Sequence, residues 1–121
     1  MNIVDKINAV EREVTAGWKR LYLAGPMSGI KDLNFPAFHA EAARLRAMGY
    51  DIVNPAEINI DPNAGWLACM RADIKQLVDC DGVATLPGWV NSRGASLEVG
   101  IAHGLGLPVI EAAAIRSAHA V

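Results

Sequence analysis

Four short apolar runs punctuate this chain, Lys19–Ala24, Tyr50–Val53, Asp81–Leu86 and Leu107–Ile110, and stretches of helical periodicity separate each from the next. The runs are short and mainly apolar rather than alternating with polar residues, so each predicts a strand buried on both faces. Strands that alternate with helices in this way assemble as a parallel sheet covered on both sides, and right-handed crossovers make that sheet doubly wound. The turn signals Gly25-Pro26 and Asn54-Pro55 close the first two strands.

Between the strands, Asn34-Phe35-Pro36 supplies a cap and a first-turn proline to a helix carrying Phe38, Ala42, Leu45 and Met48 on one stripe, with Gly49 as its stop. Helical spacing recurs over Trp66–Val78 through Leu67, Met70, Ile74 and Leu77, and again over Ser96–Leu105. The alanine-rich stretch Glu111–Val121 predicts a last helix. Ahead of the first strand, Ile3, Val4, Ile7, Val10 and Val14 lie at near-helical spacing among charges, so residues 1–18 read as an amphipathic N-terminal helix and 19–121 as the α/β domain. With 121 residues the chain holds one core, and its chemistry must sit on one scaffold or be shared between subunits. The connection Ala56–Ala64 is long for an α/β unit and is expected to be a loop that faces a ligand.

Several function classes are excluded. Apolar residues make up 52% of the chain and charged residues 20%, a globular balance, and a net charge of −2 leaves no basic field for a nucleic-acid polymer. Cys69 and Cys80 stand eleven apart with no CxxC pair and no histidine at metal spacing, which predicts reduced thiols rather than zinc or a disulfide framework. Charges interrupt the N-terminal segment, and no window reaches the roughly 18 apolar residues of a membrane span, so a cytoplasmic protein with no membrane partner is expected. A P-loop lysine and a GxGxxG after the first strand are both lacking, which removes NTPase and dinucleotide chemistry; no metal or cofactor is called for. His39, His103 and His119 are scattered and read as non-catalytic.

In an open parallel sheet the C-terminal strand ends share one rim, and ligands bind there. That rim collects Gly25, Pro26, Met27, Ser28 and Gly29, then Asn54-Pro55, then Gly88 through Glu98. Glu98 follows a small-residue turn and could attack an electrophilic carbon, although a glutamate near a helix start also serves as a cap or a solvated charge. Asp73, beside the stripe of residues 70, 74 and 77, could act as a general acid or bind a hydroxyl; a first-turn acid favoured by the helix dipole, or a partner for Arg71, is the plain alternative. Tyr22 lies in the first strand, where a buried phenol needs a partner such as a carboxylate. Ser92, Gly94 and Ala95 could offer a hydroxyl and backbone N–H groups to an anion, or form a plain turn with an N-cap serine. Trp66 and Trp89 are packing residues by default, with Trp89 near enough to the rim to stack on a base.

Five segments in order give these residues a common setting: Tyr22-Leu23-Ala24-Gly25-Pro26-Met27, Arg71-Ala72-Asp73, Cys80-Asp81-Gly82-Val83, Ser92 through Ala102, and Gly106-Leu107-Pro108-Val109. Together they resemble the nucleoside 2-deoxyribosyltransferase-like superfamily from Leu21 to about Ile110. The Gly-Pro-Met-Ser-Gly turn, Asn54-Pro55, and Trp89 followed by Ser-x-Gly-Ala-x-x-Glu resemble a small branch associated with phages and prophages. This resemblance implies a flavodoxin-like fold of four to five strands and cleavage of an N-glycosidic bond. It casts Glu98 as nucleophile at the anomeric carbon, Asp73 as helper at the leaving base, and Tyr22 as the residue that orients the nucleophile.

Where the transferases have an aspartate six residues before the nucleophile, this chain has Ser92, as the nucleotide N-hydrolases of the same superfamily do. Their serine and the following-but-one glycine, here Gly94, hold a 5′-phosphate, so the resemblance implies a nucleoside 5′-monophosphate, with Arg93 strengthening the preference if turned inward. Substrate binding is accordingly expected at Gly25, Pro26, Met27, Ser28, Trp89, Ser92, Arg93 and Gly94. The partners implied are a nucleotide or nucleoside and a second copy of the chain, since superfamily members share sites across subunits; Ser117 is the tail residue that could be shared. A protein that binds a nucleotide or its derivative without turnover is the alternative.

Overall fold

The computed structural model describes residues 18–58, 61 and 63–116. The expected N-terminal helix falls outside the described residues except for Trp18, as do Ser117, His119 and the end of the expected C-terminal helix. Four parallel strands form the sheet: β1 (Arg20–Ala24), β2 (Asp51–Val53), β3 (Gly82–Thr85) and β4 (Val109–Glu111), in the order β2-β1-β3-β4. The helices are α1 (Phe35–Ala47), a single turn α2 (Pro55–Ile58), α3 (Trp66–Leu77) and α4 (Arg93–Gly104), with short 3-10 turns at Lys31–Asn34, Trp89–Asn91 and Ala112–Ala114. The order reverses at β1, and the doubly wound α/β prediction holds.

Period-two geometry divides β1 between the two faces of the sheet. Leu21 and Leu23 face one side and pack with Phe38, Ala42 and Leu45 of α1, Tyr50, Ile52 and Ile115. Tyr22 and Ala24 face the other and pack with Leu77 of α3 and Ala95, Val99 and Ala102 of α4. Each of the fully buried leucines contributes roughly 1.5–3 kcal/mol by leaving water. Asp81 fastens the opposite end of the sheet: its Oδ2 accepts the backbone N–H groups of Lys19 and Arg20, both at 2.9 Å, and these bonds hold its carboxyl below its usual range. No helix among the described residues is long and apolar enough to cross a membrane.

Four local expectations need correction. The connection after β2 is not loop throughout: Pro55 opens the turn α2, and Asn54 Oδ1 accepts the Ala56 N–H at 3.0 Å, so the proline and the cap together start a helix. The helix expected from Ser96 begins three residues earlier at Arg93, because Ser92 is its N-cap, its Oγ accepting the Ala95 N–H at 3.2 Å. Glu98 therefore stands in the second turn of the helix rather than in its first. On α3 the buried stripe runs Met70, Asp73, Leu77, with Ile74 half-buried, so Asp73 is on the buried face and not beside it. After β4 the chain makes the 3-10 turn Ala112–Ala114, and the described part of the expected last helix goes no further as a helix.

Candidate active site

The register of the sheet brings three chain segments to one rim. Ala24 pairs with Thr85, and Thr85 with Glu111, so the turns after β1 and β3 leave side by side. Gly25 is needed where they touch: a Cβ there would lie 2.8 Å from Leu86 Cβ, so any other residue would push the two turns apart. Above this rim opens a cavity of about 1120 Å³. Gly25, Pro26, Met27 and Ser28 line it from the turn after β1, Trp66, Met70 and Asp73 from α3, and Ser92, Arg93, Gly94 and Glu98 from α4. Because α1 packs on one face of the sheet and α3 and α4 on the other, the cavity sits across the top with a wall from each side.

At its floor, two carboxylates and a phenol meet. Glu98 is 4% exposed, Asp73 5% and Tyr22 fully buried. The Tyr22 hydroxyl donates to Glu98 Oε2 from within the sheet, and Asp73 and Glu98 are among the residues that line the cavity. Burial pushes the Glu98 carboxyl up to about 8; the Tyr22 hydrogen bond pulls the other way, and the neighbouring Asp73 charge adds to the rise. Burial, followed by the charges of Glu98 and Asp73, holds the Tyr22 phenol well above its ordinary range, so it stays a donor. Two buried acids beside one another oppose folding, and such costs cluster where chemistry is done. Chemically, such a set can supply a nucleophilic oxygen, a donor that orients it and a second carboxyl able to exchange a proton.

The cavity is also lined by the starts of two helices. The starts of α3 and α4 approach closely: a Cβ on Gly94 would lie 3.2 Å from Met70 Sδ and 3.7 Å from Trp66 Nε1. Neither helix carries an acid in its first turn, so both positive dipole ends are left uncompensated there. The Arg93 guanidinium lies over the Trp66 ring, 3.9 Å from its centroid. Opposite, the turn after β1 is tied by the Asn34 side-chain amide, which donates to the Pro26 carbonyl at 2.9 Å. Asp32, Leu33 and Asn34 all have left-handed backbone, φ 55, 53 and 60°, a run that costs roughly 1–2 kcal/mol per residue. It turns Leu33, with Ile30, to the cavity.

Of the residues singled out from sequence, Asp73, Glu98, Gly25, Pro26, Met27, Ser28, Ser92, Arg93 and Gly94 line the one cavity, and Tyr22 contacts it through Glu98. Trp89 lies elsewhere: it is half-buried against the α4 side of the core and lines a smaller cavity with Thr85, Glu111 and Ala113. Trp66, read as packing, is a wall of the main cavity, as are Ile30, Leu33 and Asn91. An aromatic residue directly after Gly65, at the first position of a helix, is the available signal for Trp66. Nothing in the periodicity marks Ile30 and Leu33, because their placement depends on the left-handed run.

The fold has known counterparts. A 2-deoxyribosyltransferase from the psychrotolerant bacterium Bacillus psychrosaccharolyticus is similar at 18% identity with a TM-score of 0.61, over 75% of this chain and 70% of that one. A conserved protein from Enterococcus faecalis V583 is similar at 23% identity with a TM-score of 0.59, over 78% of this chain and 63% of that one. No curated protein matches the sequence. The model of a family described as a domain of unknown function, DUF4406, matches residues 19–111. The four-stranded sheet with its flanking helices has the 2-deoxyribosyltransferase fold, and the chain belongs to the DUF4406 family.

Proposed function

We propose that this protein cleaves the N-glycosidic bond of a nucleoside 5′-monophosphate, by hydrolysis or by exchange of the base. The observation that carries the reading is the buried cluster of Tyr22, Glu98 and Asp73 at the floor of a cavity whose other end gathers two helix N-termini and Arg93. In the first step an oxygen of ionised Glu98 bonds to the anomeric carbon as the bond from that carbon to the base nitrogen breaks, its electron pair leaving with the base. Asp73 gives the departing nitrogen a proton, and the Tyr22 hydroxyl holds the attacking carboxylate in line. Water or a second base then gives a proton to Asp73 and bonds to the same carbon as the bond from that carbon to the Glu98 oxygen breaks, which restores both carboxyl groups. Ser92, Arg93 and the N–H groups around Gly94 hold the phosphate, where a carboxylate in place of Ser92 would repel it. The active form in this reading is a homodimer or higher homo-oligomer, in keeping with the exposed Leu67, Val90, Leu97 and Leu105 on the α3–α4 side.

One observation favours a second reading. Burial raises the Glu98 carboxyl to about 8, which favours its protonated form at neutral pH and suits a protein that binds a nucleotide without turning it over. Incubation with a panel of deoxynucleoside and ribonucleoside monophosphates, and with the corresponding nucleosides, separates the two. The glycosidase reading expects free base from at least one monophosphate, and at least a hundredfold less from Glu98→Gln. Ligand-induced thermal stabilisation that persists in Glu98→Gln, with no base released by the folded wild type, would establish binding alone.

A further inference from the structure

Arg93 and Trp66 are each the first residue of a helix, α4 and α3, and both line the cavity beside Ser92 and Gly94. The guanidinium lies 3.9 Å from the centre of the indole, within stacking distance, and among the described residues Arg93 takes part in no salt bridge. An exposed arginine with no acidic partner ordinarily samples many rotamers in water. Here an aromatic face holds it. A guanidinium stacked by its face keeps its edge N–H groups free, and that planar fork matches the oxygens of a phosphate; an ammonium could not be held and presented in this way. Gly94 lies at this junction, where an added Cβ would press on Met70 Sδ at 3.2 Å and stand in ordinary contact with Trp66 Nε1 at 3.7 Å.

We propose that Trp66 is a positioning residue for phosphate recognition: its ring holds the Arg93 guanidinium at the joint N-termini of α3 and α4, with the charged edge turned to a dianionic phosphate. The proposal rests on the nucleotide reading of the cavity, and it makes a residue that never touches the phosphate a determinant of preference for nucleotide over nucleoside. Asp61, Asp73 and Glu98 also line the cavity, so a guanidinium free to wander would be drawn toward a carboxylate instead. The ring therefore keeps Arg93 from neutralising the acids that the chemistry uses.

The test compares wild type, Trp66→Phe, Trp66→Leu, Arg93→Ala and the double variant Trp66→Leu with Arg93→Ala. Affinity for one deoxynucleoside monophosphate and its parent nucleoside is read by titration in the Glu98→Gln background, and kcat and KM in the active background. Circular dichroism and melting confirm that each variant folds. Trp66→Leu keeps apolar bulk but removes the π face, and is expected to weaken the nucleotide about tenfold, in KM rather than kcat, with the nucleoside unchanged. Trp66→Phe should retain most of the preference, and the double variant should be no weaker than Arg93→Ala alone. Equal losses for nucleotide and nucleoside in Trp66→Leu, or additive losses in the double variant, would overturn the proposal while the nucleotide reading stands. A wild type that binds nucleoside and nucleotide equally would overturn both, and Arg93→Ala with full preference would remove the guanidinium from the account.

Discussion

Burying Glu98 costs the protein stability, and the sign of the pH dependence follows. Its folded pKa, about 8, lies above the ordinary 4.5, so the folded state holds a proton that the unfolded state has released between those values. The group's contribution to stability is thus fully present below about pH 4.5 and is lost as pH rises through about 8. Glu98→Gln removes the titration while keeping an oxygen for the Tyr22 hydroxyl. The melting temperature of that variant should therefore gain on wild type from about pH 5 to pH 9, by an amount corresponding to a few kcal/mol, and equal melting curves across that range would show that the burial carries no strain. Tyr22 acts in the opposite sense, its hydrogen bond favouring the ionised carboxylate. In an active enzyme the rising limb of kcat/KM against pH should accordingly lie near 8, and Tyr22→Phe should move it to higher pH. A limb displaced to lower pH in that variant would contradict the assigned role. From sequence, Glu98 and Tyr22 were each visible as polar groups in apolar settings. Their contact spans 76 positions and is fixed only by helix α4 packing on β1.

At the scale of elements, the site depends on two turns and two helix starts. The turns after β1 and β3 meet at Gly25 and Leu86, where an added Cβ at 2.8 Å faces the rigid Cβ of leucine rather than a flexible side-chain end. Gly25→Ala should cost about 1–3 kcal/mol in denaturant unfolding by overpacking, and a stability within about 0.3 kcal/mol of wild type would mean that the turns are not seated so closely. Strands and long helices were legible because period and punctuation agree over many residues, and most of their boundaries fell within one or two positions. The starts of α2 and α4 were less so. Pro55 and Ser92 sit in small-residue turns, and what decides there is one side-chain cap, the Asn54 amide or the Ser92 hydroxyl, rather than a periodic pattern. The stripe of α3 misled for a related reason: Ile74 is the more apolar residue, but the geometry of residues 70, 73 and 77 puts Asp73 on the buried face.

For the whole molecule, the alternation of elements fixes a parallel sheet and a rim, and the rim fixes where a ligand can sit. This much follows from pattern and the handedness of crossovers, and the ordered motifs add a resemblance to the 2-deoxyribosyltransferases, whose fold the chain shares. What pattern does not carry is the inner geometry of the cavity: the left-handed run that turns Leu33 inward, the stacking of Arg93 on Trp66, and the departure of Trp89 to a second cavity. Each is set by contacts between segments far apart in the chain. The central claim is that Glu98 forms a bond to the anomeric carbon, and intact-mass and peptide mass spectrometry of protein quenched during turnover tests it most directly. Reaction with a deoxynucleoside 5′-monophosphate whose sugar carries an electronegative 2′-substituent, which slows breakdown of the intermediate, should leave a sugar-phosphate adduct on the peptide containing Glu98 and none in Glu98→Gln. Release of free base by the wild type with no adduct on that residue, or with the adduct on another, would contradict it.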